Sequence, residues 1–69
     1  MLHLETELML YRAMFPPLKR VWIKDPWGHR TSKGRCLRLH IKLGIIEAVV
    51  RRDGRKTSFA YPITRIEVA

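Results

Sequence analysis

In the run CLRLHIKL, residues 36–43, Arg38, His40 and Lys42 alternate with Leu37, Leu39, Ile41 and Leu43. Residues two apart in a strand share a face at intervals of about 7 Å, a spacing at which cations can follow successive phosphates. More basic residues flank this run. Arg30, Lys33 and Arg35 lie in the polar, glycine-containing stretch HRTSKGR before it, and Arg51, Arg52, Arg55 and Lys56 crowd the stretch RRDGRK after it. Two tryptophans are interleaved with the charge. In RVWIK, Trp22 shares its expected strand face with Arg20 and Lys24, and Trp27 sits in the turn sequence DPWG, so either could stack on an unpaired base. Together these thirteen residues (Trp22, Lys24, Trp27, Arg30, Lys33, Arg35, Arg38, His40, Lys42, Arg51, Arg52, Arg55 and Lys56) form the expected contact set for a nucleic acid, RNA or DNA.

The distribution of charge supports that expectation. The chain carries a formal net charge of +8 over 69 residues. Residues 1–18 hold Glu5, Glu7 and Arg12, net −1; residues 19–42 hold eight Lys or Arg against Asp25, net +7; residues 43–69 hold five basic and three acidic residues, net +2. One sign gathered in one segment makes a surface that attracts polyanions, and arginine suits phosphate through its bidentate fork. An acidic protein surface is the alternative partner, with Trp27 as its aromatic anchor. In that case the chain is an inhibitor or adaptor.

Other chemistries find less support. Cys36 is the only cysteine, which excludes an internal disulfide and a multi-cysteine zinc site. His3, His29, Cys36 and His40 lack the close paired spacing of structural metal sites, and Gly28, Gly34, Gly44 and Gly54 are isolated, so neither a metal nor a nucleotide cofactor is expected. The carboxylates are scattered, with no acid–base pair, and Cys36 has no orienting partner nearby; the chain is read as a binding protein and not an enzyme. No apolar run approaches the roughly 18 residues that span a bilayer, and the N-terminus lacks a signal-peptide pattern. An acidic helix also argues against attachment to a membrane surface. A cytoplasmic protein is expected.

The elements that must hold these residues follow from periodicity. Leu4, Leu8, Tyr11 and Phe15 fall on one stripe of a helix over residues 1–15 that Pro16 and Pro17 terminate. Leu2, Leu4, Thr6, Leu8 and Leu10 also alternate as a strand would, but the propensities favour the helix. The helix is expected to cap the fold or to pair two copies into a homodimer through its apolar stripe. Residues 20–24, 36–43 and 45–50 read as strands, 57–61 as a return strand after the Asp53-Gly54 turn, and 66–68 as a last short strand; residues 29–35 read as a flexible loop. Val21 and Ile23, the leucine face of 36–43, and Phe59 with Tyr61 are the expected core. Asp25-Pro26-Trp27-Gly28 has the residues of a type I turn.

One mainly β (α+β) domain over residues 1–69 results, with the β unit at 19–69: a short N-terminal helix and about five strands in a small, strongly bent or barrel-like antiparallel sheet, SH3-like or OB-like. The ending YPITRIEV resembles the close of many SH3-like barrels, where a proline-led turn leads into the final strand. That resemblance spans about eight residues.

Overall fold

The computed structural model describes residues 2–69. Helix α1 spans Leu2–Met14 and is followed by β1 (Lys19–Lys24), β2 (Arg30–Lys42), β3 (Ile45–Arg52), β4 (Ser58–Pro62), a single 3-10 turn (Ile63–Arg65) and β5 (Ile66–Val68). All five strands join one antiparallel sheet in the order β4-β3-β2-β1-β5, and that sheet is not closed into a barrel. β4 and β5 are its edges.

The helix is on the residues expected for it. Its stripe is consumed by the chain's own core, because Leu8 and Phe15 are buried and Leu4 and Tyr11 pack against the buried cluster. Of the two roles expected for the stripe, capping is the one the fold displays: the helix lies over one face of the sheet. Pro16 and Pro17 stop the helix, and Leu18, at φ 68°, turns the chain into β1 while its N–H donates to the Cys36 carbonyl at 2.7 Å. Beneath the helix lie Val21, Ile23, Cys36, Leu39, Ile46, Ala48, Val50 and Ile66, which define the inner face of the sheet.

Asp25 closes the β1–β2 hairpin as expected. Its carbonyl accepts from the Gly28 N–H at 2.9 Å, and its Oδ1 accepts from the N–H groups of Trp27 and His29, both at 2.9 Å. The bond from His29 is the main reason that the Asp25 carboxyl titrates below its ordinary value. Gly28, at φ 89°, supplies the left-handed residue that lets the strands meet.

Three expectations fail. Residues 30–35 are not a flexible loop: they form the first half of β2, paired with β1 from Lys24↔Arg30 to Lys19↔Cys36. Their polar side chains hide a strand held by backbone pairing with β1, which β3 joins from Gly34 onward. Leu43 is not in the core but 92% exposed in the two-residue turn between β2 and β3. Phe59 is 58% exposed, because β4 is an edge strand and the helix does not reach over it; Tyr61, two residues on, packs against the core.

β2 is long, 13 residues, and serves two partners by bending. Gly34 makes this possible. A Cβ there would stand 2.5 Å from the Arg51 carbonyl oxygen and 3.0 Å from Arg52 Cα, so only glycine allows β2 and β3 to approach this closely.

Candidate nucleic-acid interface

From Lys33 to the end of β2 the basic residues lie at 33, 35, 38, 40 and 42, two apart, then three, then two. A regular strand would send Lys33 and Arg35 to one face and Arg38, His40 and Lys42 to the other. A β-bulge between Cys36 and Arg38 inserts Leu37 as an extra residue and resets the alternation, so Cys36 and Leu39 are both buried. All five basic side chains then share the outer face.

Neighbouring strands extend that face sideways. Arg35 is the register partner of Arg20 on β1 and of Arg51 on β3, giving a row of three arginines across three strands. One row along, Trp22 pairs with Lys33 on one side and Glu67 on the other. Beyond the bulge, Arg38 faces Val49, His40 faces Glu47 and Lys42 faces Ile45. Val49 is buried on this outer face, apart from the main core, under its charged neighbours.

Some of the cations are already engaged. Arg20 donates to Asp53 Oδ1 at 2.8 Å. Arg30 grips Glu67 with two bonds, Nε to Oε2 at 3.0 Å and a terminal nitrogen to Oε1 at 2.9 Å; these hold Glu67 below its ordinary pKa and raise that of Arg30. His40 Nε2 lies 2.8 Å from Glu47 Oε1. Among the described residues, Lys33, Arg35, Arg38, Lys42 and Arg51 are in no ion pair. Arg35 spends one donor on the Leu18 carbonyl at 3.0 Å.

The aromatics divide. Trp22 is half-buried, with Lys33 Nζ 4.5 Å and Arg30 Cζ 5.4 Å from its ring centre, so cations already occupy the ring. Trp27 stands 80% exposed at the β1–β2 turn, the end of the sheet where Lys24 and Arg30 pair.

Of the thirteen expected contact residues, seven share the outer face of β2 and its flanks: Trp22, Lys33, Arg35, Arg38, His40, Lys42 and Arg51. Lys24 and Arg30 pair at the hairpin end of that face. Arg55 and Lys56 lie in the exposed β3–β4 turn. Arg52 is separated from Arg51, since it pairs with Gly34 on the parity of the buried Val50 and is half-buried. The basic stretch 30–35 is therefore part of the sheet face itself, which also carries Glu47 and Glu67, while Arg55 and Lys56 stay in the turn. Arg20 was missing from the expected set, although its place beside Trp22 in RVWIK marked it. Cys36 is fully buried, and burial pushes its thiol above the ordinary value. Among the described residues no three His, Cys, Asp or Glu side chains converge as metal ligands, and no helix is long and apolar enough to cross a membrane.

Comparison with known proteins gives no match to the chain, whether by family model, curated sequence or solved structure.

Proposed function

We propose that the chain is a small nucleic-acid-binding protein that holds the phosphate backbone against the outer face of β1–β3, as a regulator and not an enzyme. The in-register row Arg20–Arg35–Arg51 carries this reading. Like charges directly opposite on neighbouring strands destabilise a sheet, and here only Arg20 has a carboxylate partner. A polyanion laid across the row removes that penalty and releases counterions. Lys33, Arg38 and Lys42 continue the track along β2, and Arg55 and Lys56 extend it at the turn.

Contact by a sheet face reads backbone geometry more than base edges, so binding is weakly dependent on sequence. The exposed Trp27 favours single strands or RNA loops, on which it can stack, over duplex DNA. The strand order, with a 3-10 turn leading into β5, supports an SH3-like fold in which the helix covers the side a closed barrel would seal.

Titration of tryptophan fluorescence with duplex DNA, single-stranded DNA, structured RNA and heparin at several salt concentrations tests the proposal. A slope corresponding to roughly 4–5 released counterions, reduced when Arg38 and Lys42 are both replaced by alanine, is the expected result. Binding that is equal at 50 and 200 mM salt defeats it. The exposed Trp27 also supports docking on an acidic protein, and such a complex survives added generic nucleic acid where the first reading requires competition.

A further inference from the structure

The turn joining β2 to β3 holds a leucine where the local physics resists one. Leu43 has φ 51° and Gly44 φ 75°, the primed two-residue turn in which Asn, Asp or Gly is preferred at the first position because a branched side chain crowds the left-handed backbone. Leu43 is also 92% exposed, so it gains nothing from burial within its own chain. Backbone strain and apolar exposure at one residue together point to a contact made outside the chain.

Beside this knob lies a hole. Leu4 and Tyr11 of α1, Ile45 and Ile46 of β3, and Pro62 and Ile63 line an apolar cleft of about 270 Å³ next to the same turn. Ile45, at the foot of the knob, is itself 53% exposed. A projection and a matching recess side by side on one surface are the requirement for a two-fold interface, in which each copy fills the other.

The charges beside them agree. Lys42 precedes the knob and is exposed, and Glu7, also exposed, lines the cleft. Entry of Leu43 into the cleft of a second copy brings each Lys42 towards the other's Glu7. In a chain of net charge +8, this is where association of like-charged copies finds a complementary acidic group.

We infer that the protein forms a two-fold dimer in which Leu43 of each copy enters the Leu4/Tyr11/Ile63 cleft of the other, with Lys42 paired to Glu7 across the interface. The partner is a second copy of this chain; Lys42 also belongs to the outer-face track, whereas Leu43 and Glu7 do not, so Leu43→Asn and Glu7→Lys test the dimer without touching that track.

Sedimentation velocity up to about 0.5 mM, a range that captures weak homodimers, tests this. Wild-type protein shows a reversible, concentration-dependent dimer. Lys42→Glu and Glu7→Lys each weaken it by about tenfold or more, because both place like charges in contact twice per dimer. An equimolar mixture of the two variants regains wild-type association, since every contact in the mixed dimer then joins opposite charges. Leu43→Asn abolishes the dimer and raises the thermal midpoint of the monomer, because asparagine tolerates the turn conformation. A wild-type protein monomeric across the range, a mixture that associates no better than its components, or a dimer that survives Leu43→Asn would each overturn the inference.

Discussion

Arg35 on β2 stands directly opposite Arg51 on β3, two like charges in register on the outer face of the sheet, and among the described residues neither forms an ion pair. Replacing Arg51 by Gln separates its two effects. Stability rises by up to about 0.5 kcal/mol as the repulsion goes, read as a higher urea midpoint. Nucleic-acid affinity falls, and the salt slope shrinks by about one counterion. An Arg51→Gln variant that binds with unchanged slope would remove Arg51 from the interface.

Gly34 tests the fold. Its replacement by Ala drives a methyl group into the backbone of β3 at Arg51, where the obstacle is not a flexible side chain. A loss of about 2–3 kcal/mol is expected, most of the roughly 3–5 kcal/mol a domain of this size possesses. Urea unfolding followed by circular dichroism measures it, and a midpoint within error of wild type would show that β2 and β3 do not approach as described.

Acid stability depends on two carboxylates. Asp25, held by backbone N–H groups, and Glu67, held by Arg30, both titrate below their ordinary values in the folded protein. A group whose pKa is lowered on folding contributes stability above its unfolded value and loses it as the pH falls through its folded value. The thermal midpoint therefore holds down to about pH 4.5, near the unperturbed carboxylate values, and declines below it. Glu67→Gln flattens part of that decline, and identical profiles for the variant and wild type would exclude the pair as a contributor.

Cys36 reports opening of the core. It is fully buried, and its raised pKa keeps the thiol protonated near neutral pH. Alkylation of the native protein at pH 8 is expected to be slower than in urea by on the order of 100-fold or more, the protection that about 3–5 kcal/mol of stability supports. Rapid native labelling would place Cys36 at the surface.

Much of the architecture was legible in the residues. The stripe Leu4, Leu8, Tyr11, Phe15 and the two prolines marked the helix, Asp25-Pro26-Trp27-Gly28 marked its turn, and the alternation from 38 to 42 marked a basic strand face, because each signal depends only on neighbours in the chain. Residues 30–35 were illegible, since a polar stretch becomes a strand only when β1 pairs with it. Phe59 and Leu43 misled for a related reason: alternation tells which side a residue takes, not whether anything covers it.

The sequence by itself determined the charge, its concentration in residues 19–42, and which residues alternate, because composition and period are properties of the chain. Only the tertiary structure decided that Lys33 and Arg35 share a face with Arg38, His40 and Lys42. That outcome depends on the bulge at Leu37, which exists only where two strands of unequal count are paired. The row Arg20–Arg35–Arg51 was likewise a matter of register, joining residues 15 and 16 positions apart that no local pattern connects.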